Sequence, residues 1–271
     1  PARNEGFQGW HWQQAGTGPP LILLHGLGGS GFSWRLTVPV LASYFTVYIL
    51  DLPGHGEAPS LPGRDWSLEA MAAEILLFLE RQGLEQPILV GHSLGGTLAI
   101  LLAGGKPSRF PVLILLAPGI LLRRLPLLLQ PLQFPVIGTL APFVVGPWLI
   151  PLILRRLYAD PRQITPEVIA GYQRPWRRLA RRQEMVQLCC ALNLWPLAAQ
   201  ERWLSRLVMP TLIIWGEADR LFPATRARRL QQILPRAAAV TLPRVGHNPQ
   251  EEAPEVVNQL MIAFLRQWDT M

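Results

Sequence analysis

The chain has 271 residues, 49% of them apolar and only 16% charged, which is enough for one large domain and excludes a disordered chain. Its two cysteines, Cys189 and Cys190, are sequence neighbours, so no disulfide framework is encoded, no oxidising compartment is demanded, and a cytoplasmic location is expected. The net charge of +7 sits in one stretch, since residues 119–205 hold eleven arginines against four acids while the remainder balances, and no recognition module for nucleic acid is present.

Gly9 to Gln13 alternates around Trp10 and Trp12 and reads as an early strand. Five short, continuous apolar runs then follow at 21–25, 47–51, 87–91, 112–116 and 211–215, with a sixth at 239–242. Runs of this kind suit strands buried on both faces of a parallel sheet. Helical periodicity lies between them. Ser67 is placed to cap a helix carrying Leu68, Met71, Ile75 and Leu79 on one face, and helices are predicted over 94–103, 225–234 and 254–268. The alternation implies an α/β fold, a mostly parallel, doubly wound sheet with helices on both faces.

Residues 119–205 break that rhythm. From Leu125 to Leu154 there is no formal charge over thirty residues, bracketed by Arg123–Arg124 and Arg155–Arg156. A membrane span needs about twenty apolar residues, but prolines 126, 131, 135, 142, 147 and 151 each remove a helix hydrogen bond. Short helices forming an inserted cap over 119–205 are expected, with 1–118 and 206–271 as the core. The chain begins at Pro1 without a signal-like apolar run, which leaves a removed leader open.

The chemistry centres on Gly91-His92-Ser93-Leu94-Gly95, which follows a strand pattern and precedes a helical one. A G-x-S-x-G segment in that context presents a serine hydroxyl on a sharp turn, where glycines two residues either side remove colliding Cβ atoms. The following helix aims backbone N–H groups at developing negative charge. If the order along the chain is serine, acid, base, His247 is the one histidine far enough downstream, in Val245-Gly-His-Asn248. Asp219, in Gly216-Glu-Ala-Asp219 just after a strand, is the acid, with Glu217 as its nearby rival. The roles that follow are nucleophile for Ser93, base for His247 and orienting acid for Asp219.

Gly26-Leu-Gly28-Gly-Ser-Gly31 also matches the dinucleotide fingerprint G-x-G-x-x-G. Pro39 interrupts the helix that would bind pyrophosphate, and that reading leaves Ser93, Asp219 and His247 unexplained. Asp51 and His55 read as turn stabilisers, His25 as a prop for the glycine loop, and His92 as a residue pointing away from the site by strand alternation. No metal-ligand spacing occurs, and no metal or other cofactor is expected.

Together, His25-Gly-x-Gly-Gly, Asp51-Leu-Pro-Gly-His-Gly, Gly91-His-Ser-Leu-Gly-Gly, Gly216-Glu-Ala-Asp219 and Gly246-His247 make the chain resemble the α/β-hydrolase superfamily, in its small esterase, lipase and C–C hydrolase branch. The resemblance implies an oxyanion hole formed by the backbone N–H groups of Leu27 and Leu94. It implies a serine rather than an aspartate nucleophile. It also implies a carboxylic-ester hydrolase for apolar acyl substrates, working through an acyl-enzyme. Some C–C hydrolases of this branch carry Gly-Pro-Gly in the oxyanion loop, where this chain has Gly28-Gly-Ser30. C–C bond hydrolysis or perhydrolysis is the alternative on the same fold, and a non-catalytic ligand-binding or scaffold protein the alternative of another class.

The apolar residues of the cap supply the expected acyl pocket, with Phe134, Ile137, Phe143 and Trp148 as its lining. Arg174, Arg177, Arg178, Arg181 and Arg182 recur at three- and four-residue steps, as one basic helix face would. The partners expected are a small apolar ester and, through the basic cap, an anionic membrane surface.

Overall fold

The structure is a computed structural model that describes residues 3–4, 10–61, 63, 65–122, 124–127, 129–192 and 196–268. Gly9 and Arg123 lie outside the described residues. Eight strands form one sheet: β1 (Arg3–Asn4), β2 (Trp12–Ala15), β3 (Pro20–Leu24), β4 (Thr46–Leu50), β5 (Ile88–His92), β6 (Leu113–Leu116), β7 (Thr211–Gly216) and β8 (Ala237–Leu242), in the order β1-β2-β4-β3-β5-β6-β7-β8. The β1–β2 and β2–β4 pairs are antiparallel and the others parallel.

Strand alternation sends Ile22, Leu24, Leu89, Leu113 and Ile213 to one face and Leu21, Leu23, Val90, Ile114 and Ile214 to the other. Both sets are buried, so the strands read as unbroken apolar runs. Each such side chain contributes about 1.5–3 kcal/mol of burial. The first face is covered by α2 (Leu68–Arg81), α3 (Leu94–Gly105) and α9 (Thr225–Ile233), the second by α1 (Val38–Leu41) and α11 (Pro254–Arg266). Ser67 caps α2 as expected, its Oγ accepting from the Ala70 N–H at 3.2 Å. α3 is buried along nearly its whole surface, which explains why its sequence lacks a polar stripe.

Between β6 and β7 lie α4 (Pro135–Val144), α5 (Ile150–Leu157), α6 (Pro166–Trp176), α7 (Leu179–Ala191) and α8 (Leu197–Leu204). A separate apolar cluster of Ile150, Leu154, Val168, Trp176 and Met185 holds the middle of this insertion together. Its two ends join the core instead. Leu121, Leu122 and Leu204 pack with the sheet, and the Trp203 indole fills the space left beside Gly104, donating to the Ile100 carbonyl at 3.2 Å. Among the described residues no single helix is long and apolar enough to cross a membrane, and segments 136–144 and 147–157 meet at 87°.

Candidate active site

Ser93 stands between β5 and α3 with φ 50° and ψ −112°, a strained conformation for a residue with a side chain. The turn closes so tightly that a Cβ on Gly91 would strike the Gly95 carbonyl, and one on Gly95 would strike the Leu24 carbonyl. Two backbone bonds hold the elbow: Ser93 N–H to the Leu116 carbonyl at 3.0 Å, and Gly95 N–H to the His25 carbonyl at 3.1 Å.

The three residues singled out for chemistry converge. His247 Nε2 lies 3.0 Å from Ser93 Oγ, and His247 Nδ1 lies 2.8 Å from Asp219 Oδ2. Asp219 Oδ1 accepts the N–H groups of Leu221 and Phe222 at 2.8 and 2.9 Å, and Oδ2 also accepts the Trp215 indole N–H at 3.1 Å. Burial alone would raise the Asp219 pKa. The His247 ring beside it and the two backbone N–H groups outweigh that cost and hold the carboxyl below its ordinary value. An ionised Asp219 selects the Nδ1–H tautomer of His247, which turns the Nε2 lone pair towards the serine hydroxyl. Glu217, the rival acid, is exposed and accepts from the Thr241 hydroxyl.

The glycine loop lies alongside. A Cβ on Gly26 would stand 3.1 Å from Ser93 Cβ. His25 props this loop in the expected way, donating from Nδ1 to the Gly26 carbonyl at 2.8 Å and accepting the Leu52 N–H on Nε2 at 3.0 Å. The N–H groups of Leu27 and Leu94 are bonded to no acceptor among the described residues, the latter because it opens α3. Asp51 ties the next turn together by accepting from Gly31, Glu57 and His11.

Three expectations need correction. Phe134, Ile137, Phe143 and Trp148 do not enclose a pocket: they are 44 to 63% exposed on the outside of the insertion. The inner face of α4 is taken by Gly138, Ala141 and Pro142, small enough to sit against neighbouring chain, so the large side chains turn outward. The five arginines do not form one helix face, because the break between α6 and α7 divides them. Arg174 and Arg178 pair with Glu57 at 3.6 and 2.7 Å, the buried Arg181 donates to the Ala58 carbonyl, and Arg182 donates to the Val145 carbonyl at 3.2 Å. These four fasten the insertion to the core and to itself, and Arg177 is exposed. His92 does not point away from the site, since its Nε2–H donates to the His247 carbonyl at 2.8 Å. Burial, and then the neighbouring His247, lower its pKa to about 3, so it stays neutral.

Other residues at the site carry no sequence signal of their own. Glu252 accepts three backbone N–H groups, from Ala159 at 2.7 Å, Gly246 at 2.9 Å and Asn248 at 3.1 Å, bracketing His247 on both sides. The His247 N–H itself donates to the Leu157 carbonyl at 2.7 Å. Glu251, next to it, binds Arg35 and the Tyr172 hydroxyl. Trp176 donates from its indole to the Gly28 carbonyl at 3.3 Å and so seats the insertion on the glycine loop. In sequence it is one aromatic among arginines, and the acids follow His247 with nothing to show which carboxylate turns back.

Residues 21–260 match the model of the alpha/beta hydrolase family. The chain is 32% identical over 252 residues to the dihydrolipoyllysine-residue acetyltransferase component of the acetoin cleaving system of Pseudomonas putida, covering 92% of this chain and 64% of that one. It is 29% identical over 264 residues to the pimeloyl-[acyl-carrier protein] methyl ester esterase of Aeromonas hydrophila, covering 93% and 98% of the two chains. To the 2-hydroxy-6-oxo-6-phenylhexa-2,4-dienoate hydrolase of Burkholderia cepacia it is 28% identical over 264 residues, covering 94% and 90%. Among solved structures, lip1 of Acinetobacter baumannii superposes with a TM-score of 0.84 at 27% identity, covering all of this chain and 92% of that one. With the sheet order, the serine elbow and a family match spanning most of its length, the chain belongs to the α/β hydrolase family.

Proposed function

We propose that the protein hydrolyses carboxylic esters of apolar acyl groups through an acyl-enzyme. The observation that carries this reading is the continuous hydrogen-bond chain from Ser93 Oγ through His247 to Asp219. His247 takes the proton as Ser93 Oγ attacks the carbonyl carbon, and Asp219 stabilises the imidazolium that forms. The Leu27 and Leu94 N–H groups receive the negative charge on the carbonyl oxygen, each donor contributing about 2.7–4 kcal/mol to the transition state. His247 returns its proton to the leaving alcohol, then draws one from water as that water attacks the acyl-enzyme. The insertion over the glycine loop, from Trp176 inward, is the cap in this reading, and its apolar cluster with Leu27 supplies the acyl-binding surface. The esterase among the relatives supports the bond type.

Turnover of a p-nitrophenyl ester series tests it. Ser93→Ala is expected to lower kcat by at least about a thousandfold. Undiminished turnover in that variant overturns the reading. A relative that acts as a dienoate hydrolase favours C–C cleavage as the second reading. Product analysis with a β-diketone beside the ester separates the two. Labelling of Ser93 by a fluorophosphonate without hydrolysis of any ester or diketone would leave a binding role.

A further inference from the structure

We infer that the outer face of α4 and α5 is a docking surface for an anionic phospholipid bilayer. This goes beyond the proposed reaction and does not depend on it.

A surface helix ordinarily turns its apolar stripe to the core and its polar stripe to water. In α4 this is reversed. Val136, Leu140, Phe143 and Val144 recur at steps of four, three and one, which places them on one helical face, and all of them are exposed. Leu140 and Val144, one turn apart, are 57 and 66% exposed. No charged residue lies between 125 and 154, so nothing on this face is solvated by charge. Contiguous apolar surface of this kind on a folded chain marks an interaction site.

Charge identifies the occupant. On α5, Ile150 and Leu154 turn inward, while Leu152, Arg155 and Arg156 fall at positions i, i+3 and i+4 on the exposed face. Neither arginine forms an ion pair with any described residue, unlike Arg174, Arg178 and Arg181, which are occupied within the protein. An exposed apolar helix face followed, one short helix on in the chain, by exposed unpaired arginines has the two chemistries that the boundary between acyl chains and anionic headgroups takes. A second copy of the chain would bring the same arginines against their own kind.

Flotation of the intact protein with vesicles of phosphatidylglycerol and phosphatidylcholine, compared with phosphatidylcholine alone, tests the inference. Binding is expected to the mixed vesicles at low salt and to weaken as salt rises. Arg155→Gln with Arg156→Gln is expected to weaken it by about tenfold or more. Leu140→Gln with Val144→Gln is expected to do the same. Both pairs are expected to keep the wild-type circular dichroism and melting temperature, which separates lost docking from lost fold. Absence of binding, equal binding to phosphatidylcholine alone, or unchanged binding in either double variant overturns the assignment. So does a dimer in light scattering that Leu140→Gln with Val144→Gln dissociates while vesicles stay unbound.

Discussion

At the scale of single residues, the site is set by what cannot be there. Gly91 and Gly95 exist in their positions because backbone carbonyls occupy the volume a Cβ would need. Gly95→Ala is therefore expected to lower stability by about 2 kcal/mol or more, read as a fall in the urea midpoint, and to lower kcat through displacement of Ser93. A variant with wild-type stability would show that the elbow has more room than its geometry indicates. Ser93, His247 and Asp219 were legible in the sequence because each lies beside a strand end, next to glycine or in a short turn, where chemistry rather than packing sets residue type. His92 and Trp176 were not legible. A buried histidine and a buried indole have the same appearance in sequence whether they support a site or fill a core, and only their partners distinguish them.

At the scale of elements, the turn α10 (Pro249–Glu252) directly follows the His247 loop and holds it in place. The Glu252 carboxylate spans Gly246, Asn248 and Ala159, so it joins the histidine loop to the end of α5. Burial raises its pKa, partly offset by those three N–H donors and by His247. Glu252→Gln replaces one acceptor oxygen with a donor and leaves at least one backbone N–H unpaired. Glu252 acts as a positioning residue, since it contacts no reacting atom. The variant is expected to lose about ten- to a hundredfold in kcat with KM little changed. An equal loss in Ser93 labelling rate by fluorophosphonate is expected, and an unchanged rate would assign Glu252 to stability alone. The helices of the core were readable because their apolar residues recur at helical spacing and face a sheet. The apolar residues of α4 pointed to a pocket that is not there, because apolar composition alone does not say whether a side chain faces protein or solvent.

At the scale of the whole molecule, burial of neutral histidines sets the acid side of stability. Burial lowers the pKa of His25, of His55 to about 3 and of His92 to about 3, all from an ordinary 6.5. Between those limits the unfolded chain binds protons that the folded chain refuses, so stability falls as pH falls below about 6.5. His11 works in the opposite sense. Its hydrogen bond to Asp51 raises its pKa, so its contribution is full below 6.5 and is lost as pH rises through its folded value. The urea midpoint is expected to decline from pH 6.5 towards 3, and His55→Asn to make that decline shallower. An unchanged slope in the variant would remove His55 from this account.

Sequence by itself determined the strand–helix alternation, the parallel core and the three residues at the serine elbow and its partner loops. These follow from local rules: apolar runs for strands buried on both faces, glycines where the chain turns sharply, and motif order along the chain. Tertiary structure alone decided which arginines are spent inside the protein and which remain free, which carboxylate holds the histidine loop, and which side of α4 meets water. Those outcomes depend on residues brought together from distant parts of the chain. Glu57 meets Arg178, Glu252 meets Ala159, and Trp176 meets Gly28 only once the insertion has packed onto the sheet.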